Sequence, residues 1–341
     1  MSGSSSGAPA SRIFLYFTTI HVLRDEPILA AVLVARMIQI TMERDPSSDL
    51  MDLLILSPQS SALMPELPEV ETMVQGLRPQ IEQREILEVE LCSCTRRPIQ
   101  ITPSPRIFRR KIEKQKISRV FRFAKRVVIE ISSGDYIVVE PRMTGLMLVS
   151  APPTQEHRRV CWHLNCKRGL TSSFEFWDRR GLGTVRLLNS TEMADLRASL
   201  GPDALQITIA QWQQKLAKTR REVKVALLDQ KMVAGIGNLY ASEILHRAGV
   251  SPKKPANEVT QRQVTRIASE TAKVLQTAIQ YEGSTLSDGT YRNALNKDGG
   301  YQNEHRVYQK SGLPCPSCTK GTIERIVQGQ RSTFYCPKCQ R

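Results

Sequence analysis

Four of the eight cysteines stand in two pairs near the C-terminus, Cys315-Pro-Ser-Cys318 and Cys336-Pro-Lys-Cys339, with seventeen residues between them. A Cys-x-x-Cys turn can place two thiolates on one ion, and two such turns on a hairpin close a tetrahedron with zinc–sulfur bonds of about 2.3 Å. Four sulfurs leave no position open for water, so Cys315, Cys318, Cys336 and Cys339 predict one structural zinc ion rather than a catalytic one. The paired spacing also favours metal over a disulfide framework, and with it a reducing compartment. Cys92, Cys94, Cys161 and Cys166 fall outside the pairs.

A second group of residues could seat phosphates. Val233-Ala-Gly-Ile-Gly-Asn238 interrupts two apolar segments. Two glycines allow a tight turn with positive φ, and Asn238 can cap the helix that follows. The N–H groups at such a helix start form a natural anion seat, with Lys224 and Lys231 close in sequence. An ordinary helix–helix turn would have the same pattern. Gln328, Gln330 and Arg331 lie at a hairpin tip between the Cys pairs, where they could clamp a phosphate or simply face water.

The elements that must hold these groups are legible in outline. From Met64 the text reads Met-Pro-Glu-Leu-Pro-Glu-Val-Glu-Thr. Pro68 suits a first helical turn, and Glu69 and Glu71 read as complements to its positive end. Val70, Met73, Val74 and Leu77 share one face, and Pro79 is the expected stop. Residues 86–188 read mostly as strand, with Val127, Ile129 and Ile131 alternating and Ser133-Gly-Asp135 turning. Beyond residue 200 the texture is helical, with candidates at 212–218, 223–230, 239–248 and 260–281.

Charge narrows the partner. The chain of 341 residues carries net +15. Residues 1–63 contribute −2 of this, with four Arg, no Lys and six acids, so the remainder carries +17. A polyanion would therefore bind beyond residue 63. The longest apolar run, 28–40, is broken by Arg36 and is too short to span a bilayer. The apolar stretch at 13–23 follows no basic cluster and does not read as a signal-peptide core.

Together these pieces resemble the formamidopyrimidine-DNA glycosylases. The resemblance runs from Met64 to Arg341. It rests on Met64-Pro-Glu-Leu-Pro-Glu-Val-Glu71, Phe176-Trp-Asp-Arg-Arg-Gly-Leu-Gly-Thr-Val-Arg186, Leu200-Gly-Pro-Asp-Ala-Leu205, Leu228-Asp-Gln-Lys-Met-Val-Ala-Gly-Ile-Gly-Asn-Leu-Tyr-Ala-Ser-Glu243 and Gln328-Gly-Gln-Arg-Ser-Thr-Phe-Tyr-Cys-Pro-Lys-Cys-Gln340. It implies an α+β multidomain chain. Residues 64–195 would form an N-terminal helix and catalytic β-sandwich, 196–310 a helix–two-turns–helix domain that binds DNA, and 311–341 a zinc ribbon. Residues 1–63 would be an extension, disordered or preceding the true start.

The same resemblance implies the activity. The partner would be double-stranded DNA carrying oxidised purines, chiefly 8-oxoguanine and formamidopyrimidines, with base removal followed by strand cleavage. Pro65 would be the nucleophile, Glu66 its acid–base partner and Lys125 the catalytic lysine. Met143, Arg180 and Leu182 would fill the gap left by the everted nucleotide. Asn238, Arg331 and, less specifically, Lys224 would bind phosphates. A lesion-recognition loop is expected within 285–301. One zinc ion, no organic cofactor, a monomer and a cytoplasmic place on chromosomal DNA complete the expectation.

Two departures bear on it. Leu182 stands where many relatives have Phe. The larger departure is that a proline nitrogen inside a chain is a tertiary amide without a free lone pair. The chemistry therefore predicts an active form that begins at Pro65, after removal of Met64. Alternatives are an endonuclease VIII-like glycosylase for oxidised pyrimidines, against which Leu67-Pro68 argues, and a non-catalytic damaged-DNA-binding protein that retains residues 1–63.

Overall fold

The first helix forms where the periodicity places it. The computed structural model describes residues 64–341 except Ser287, Asp288 and Thr290, so the expectations for residues 1–63 lie outside the described residues. Helix α1 spans Leu67–Ile81, and Val70, Met73, Val74, Leu77 and Ile81 are buried. It continues two residues past Pro79, where the sequence predicts a stop. One lost hydrogen bond in the last turn does not unwind a helix whose apolar stripe is fully covered.

Two sheets follow. One has the order β1 (Ile86–Leu91), β7 (Arg158–Leu164), β8 (Ser173–Asp178), β6 (Gly145–Leu148). The other has the order β2 (Gln100–Thr102), β9 (Thr184–Leu188), β5 (Tyr136–Glu140), β4 (Arg126–Ile131), β3 (Ile117–Phe123). The β2–β9 pair is parallel, and the remaining pairs are antiparallel. The inner faces share one core: Val89, Leu146, Trp162, Phe174 and Phe176 from the first sheet meet Val120, Val127, Ile129, Val139 and Val185 from the second, closed by α1. The outer face of β4 and β5 is apolar as well. Val128 and Val138 pack with Leu188 and Met193, the last on helix α3 (Ser190–Ala198). Burial on both faces explains the unbroken apolar runs of these two strands.

One helix inside the strand-rich stretch is not among the expected elements. Helix α2 spans Pro105–Ile112, buries Phe108 and Ile112, and turns Arg106, Arg109, Arg110 and Lys111 outward. Pro105 in its first turn and an apolar pair at i and i+4 are the sequence signals for it.

A second core gathers α4 (Ile209–Ala217), α5 (Val223–Leu227), α6 (Asn238–Ala248) and α7 (Gln261–Gln280). Thr208 and Thr260 cap α4 and α7 reciprocally with Gln211 and Gln263. Gly249, at φ 62°, ends α6 in the left-handed conformation. Cys315, Ile323, Phe334 and Cys336 belong to this same core, so the C-terminal hairpin packs on the helices. That hairpin pairs β10 (Glu324–Gln328) with β11 (Arg331–Tyr335), and Gly329 and Gln330 turn it at φ 53° and 62°. The described residues belong to one compact unit.

Candidate active site and nucleic-acid interface

The start of α1 is plugged into the start of α6. The Glu66 carboxylate accepts the N–H of Gly237 at 2.5 Å and that of Leu239 at 2.9 Å. The Leu67 N–H donates to the Gly235 carbonyl at 3.0 Å. The two glycines serve different ends. Gly235 has φ +108°, open only to glycine, whereas at Gly237 a Cβ would lie 2.3 Å from the Glu66 carboxyl carbon. Asn238 is the cap that the sequence predicts for α6. Instead Gly237 is the N-cap residue, and the Glu66 carboxylate from another element occupies the positive end of the helix.

Pro65 is buried beside this plug. Burial pushes the Glu66 carboxyl above its ordinary value, against the opposing pull of Lys125 and of the α6 N–H groups. Lys125 sits in the two-residue turn between β3 and β4, after Ala124 at φ 54°. Burial lowers its pKa, Glu66 raises it and Arg331 lowers it further. The structure therefore brings Pro65, Glu66 and Lys125 together, with the Arg331 guanidinium near enough to act on Lys125. Arg331 itself is exposed at the hairpin tip.

Lys224 is placed otherwise than a phosphate contact requires. Its side chain is fully buried, and its ammonium donates to Asn238 Oδ1 at 2.6 Å, Thr333 Oγ1 at 2.7 Å and the Ser332 carbonyl at 3.2 Å. All three protons are used inside the protein, so it presents no face to a phosphate. Burial lowers its pKa to about 7. Lys224 instead fixes the side chain of Asn238 and joins α5 to the C-terminal hairpin. Gln328 likewise faces inward and donates to the Pro252 carbonyl at 3.2 Å, which removes it from the expected clamp.

Two of the three expected wedge residues touch. Arg180 Nη1 lies 3.2 Å from Met143 Sδ, and Leu182 is half-buried two residues on. Neither Met143 nor Leu182 belongs to an apolar core among the described residues. Their platform is Asp178, a residue to which the sequence alone gives no role. It is fully buried, and its carboxylate accepts the Arg180 N–H at 3.1 Å, the Gly183 N–H at 2.8 Å and the Thr144 hydroxyl. One side chain thus holds both segments that carry the wedge.

Glu69 and Glu71 are more than helix-end charges. The Glu69 carboxylate does accept the Glu66 N–H at 2.9 Å, but it also takes the Tyr240 hydroxyl at 2.6 Å and the Ser284 N–H at 3.0 Å. Burial and the neighbouring Glu66 push its pKa up to about 7. Ser284 opens the stretch where the lesion-recognition loop is expected, so Glu69 ties that stretch to the Pro65 corner. Glu71 instead pairs with Arg122 at 2.8 Å, and Arg122 grips Asp203 at 2.5 Å.

The zinc cysteines converge. Cys315 and Cys339 have sulfurs 3.7 Å apart, as do Cys318 and Cys336, and all four lie within 4.8 Å of one another. A tetrahedron with bonds of about 2.3 Å has edges of about 3.8 Å, so the donor set fits one zinc ion. His246 on α6 approaches the Cys315 sulfur at 3.4 Å, which ties the ribbon to the helices.

Three family models match the chain in this order. They are the formamidopyrimidine-DNA glycosylase N-terminal domain over residues 64–185, the H2TH domain of the same glycosylases over 200–290, and the zinc finger found in FPG and IleRS over 312–341. A formamidopyrimidine-DNA glycosylase from Chloroflexus aurantiacus is 38% identical over 279 residues, covering 81% of this chain and 98% of that protein. One from Paracoccus denitrificans is 36% identical, covering 82% and 100%. Among solved structures, the MutM (Fpg) protein of Thermus thermophilus aligns with a TM-score of 0.70 at 33% identity, covering 81% of this chain and 98% of that one. A Lactococcus lactis Fpg mutant in complex with Fapy-dG-containing DNA aligns at 0.72 and 27%, covering 81% and 100%. Fold and site define a zinc-ribbon protein built around a helix–two-turns–helix element. The chain belongs to the formamidopyrimidine-DNA glycosylase family.

Proposed function

We propose that the form of this chain beginning at Pro65 removes oxidised purines from double-stranded DNA and then cuts the strand at the abasic site. The reading is carried by one arrangement: Glu66 seated on the N-terminus of α6, Pro65 buried next to it in the chain, and Lys125 within electrostatic reach of Glu66. As a terminal residue Pro65 is a secondary amine. Its lone pair attacks the anomeric carbon of the damaged nucleotide and the glycosidic electron pair leaves with the base. The amine then loses its proton and the C1′–O4′ bond opens, the ring oxygen taking that electron pair and a proton, to leave an iminium. The iminium acidifies the adjacent sugar carbon. Loss of a C2′ proton expels the 3′ phosphate by β-elimination, and loss of a C4′ proton from the resulting unsaturated iminium expels the 5′ phosphate by δ-elimination.

Glu66 supplies acid–base help, since burial favours its protonated form while the helix N-terminus still tolerates its anion. Lys125 carries an ammonium that burial destabilises, which suits a group that gives up or shuttles a proton. Met143, Arg180 and Leu182 enter the gap left by the everted nucleotide, and Asn238 and Arg331 hold phosphates. The proposed division into 64–195, 196–310 and 311–341 puts the amine on the sandwich and the phosphate ligands on the other two parts. Cys315, Cys318, Cys336 and Cys339 hold zinc, which fixes the hairpin that carries Arg331. The action on DNA gives the protein a place on the chromosome, and the described residues contain no helix long and apolar enough to cross a membrane.

The test is borohydride trapping of the Pro65-start protein on an 8-oxoguanine duplex. A covalent band that maps to Pro65 is expected. The protein retaining residues 1–63 should give none, because its Pro65 nitrogen is an amide. A band that survives the blocked N-terminus would remove Pro65 as nucleophile. Duplex binding without a band in either form would favour a binding protein.

A further inference from the structure

A cluster outside this corner has no part in the reaction above. On the outer face of the four-stranded sheet, Glu90 of β1 lies opposite Cys161 of β7, and Cys161 lies opposite Glu175 of β8. His163 stands two residues along β7, on the same face. The Cys161 thiol, one His163 nitrogen and one Glu90 oxygen all lie within 4.8 Å of one another. The His163 Nε2 to Glu90 contact is 3.4 Å.

We propose that Glu90, Cys161 and His163 form a second divalent-metal site, for an ion of the zinc class, separate from the C-terminal ribbon.

Three observations carry it. Thiolate, imidazole and carboxylate are the three donor types of protein zinc sites, and a thiolate with an imidazole selects zinc or cobalt over magnesium or calcium. The local charge also favours a cation. In a chain of net +15, this thiol lies between two carboxylates and one arginine. Arg158 is committed to Glu175 Oε2 at 2.6 Å and reaches Glu90 only at 3.9 Å. Finally, Glu175 is 7% exposed, and its second oxygen, Oε1, is buried without a hydrogen-bond partner. A buried carboxylate oxygen left alone costs free energy unless something positive or protic occupies its neighbourhood.

Binding would proceed with loss of one proton. Cys161 releases its thiol proton to solvent and becomes a thiolate, Glu90 is already a carboxylate, and His163 binds through its neutral nitrogen. Two ligand charges then balance the two of the ion. The fourth position is left to water. The consequence for the fold is a clasp between edge strand β1 and its neighbour β7.

The experiment counts metal. Zinc-loaded full-length protein, freed of loosely bound ion, should contain two equivalents per chain. His163→Ala should contain one, and its half-exposed side chain leaves the core untouched. Cobalt titration distinguishes the sites by spectrum. The ribbon gives four-thiolate charge-transfer bands, and the second equivalent should add a weaker single-thiolate band that is absent in Cys161→Ser and in His163→Ala. Added Zn2+ should raise the Tm of ribbon-loaded wild type but not of His163→Ala. A single equivalent in wild type, or a second that persists in His163→Ala, overturns the proposal. In the Pro65-start form, excision by His163→Ala should equal that of wild type, so the outcome is independent of the glycosylase reading.

Discussion

Two ionic clusters involve acids at the start of α1, and they treat charge differently. In the Arg122 cluster, one guanidinium is gripped by Glu71 at 2.8 Å and Asp203 at 2.5 Å. Burial lowers the Arg122 pKa, but the two carboxylates outweigh it, and the arginine ends above its ordinary value. In the Pro65 corner, burial wins. Glu66 and Glu69 move up, Lys125 and Lys224 move down, and among the described residues no ion pair joins an acid of that corner to a base. Their partners are neutral dipoles: backbone N–H groups, the Tyr240 hydroxyl, the Asn238 amide and the Thr333 hydroxyl. Closed ion pairs hold a structure together. Where burial outweighs pairing, buried acids shift up and buried bases shift down, toward one another, which favours proton transfer.

The sharpest way to break this contrast is to neutralise the corner. Glu66→Gln keeps the size of the side chain and one oxygen to accept from Gly237 or Leu239, but it cannot exchange a proton. Single-turnover excision should fall by about 10²–10⁴-fold, the usual worth of a positioned acid–base group, with duplex affinity held. A loss of less than about tenfold would make Glu66 a helix plug only.

The opposite result is expected in the other cluster. Arg122→Ala should cost on the order of 3 kcal/mol in urea unfolding, because it leaves Glu71 and Asp203 facing each other in a partly buried site. Excision per folded molecule should change little. A stable variant with lost catalysis would reverse the roles assigned to the two clusters.

Much of this is legible in the sequence, and the limits have physical causes. The zinc ligands are local pairs, and α1 and α6 announce themselves by period and by glycine. Pro65, Glu66 and Lys125 can be placed only through the family resemblance, because nothing in the sequence shows that a turn at residue 125 meets a helix start at residue 238. The same gap hides Asp178 and Asp203, whose partners lie on other strands and helices. Lys224 reads as a phosphate ligand because a lysine in a basic, glycine-flanked segment looks solvated. Its burial depends on Thr333 and Ser332, more than a hundred residues away. Helix α2 escapes notice because four basic residues mask its two buried apolar ones.

Lys224 provides the next test. Its folded pKa of about 7 lies below the ordinary 10.5, so between these values the unfolded chain binds the extra proton. Stability must then rise with pH across that window, by at most about 1.4 kcal/mol per pH unit. The penalty is full below pH 7 and relieved as pH climbs to about 10. Lys224→Met should remove this slope from the unfolding free energy. It should also weaken duplex binding by freeing Asn238 and the C-terminal hairpin. Parallel pH profiles for wild type and variant would mean that the ammonium is not desolvated as its burial requires.

Arg331 is the smallest lever and the one that separates the two causes of the corner's behaviour. It is exposed, and it lowers the pKa of both Lys125 and Lys224, but in each case it ranks below burial. Arg331→Ala should therefore raise the acidic limb of the excision pH profile by less than about one unit, since a charge in contact with water is heavily screened. The same variant should reduce the slope of log affinity against log salt by about 0.9, the signature of one lost phosphate contact. A large pH shift with an unchanged salt slope would assign the corner to charge repulsion rather than burial, and would take Arg331 off the DNA. A reduced salt slope with a nearly fixed pH profile would leave burial as the cause that distinguishes this corner from the Arg122 cluster.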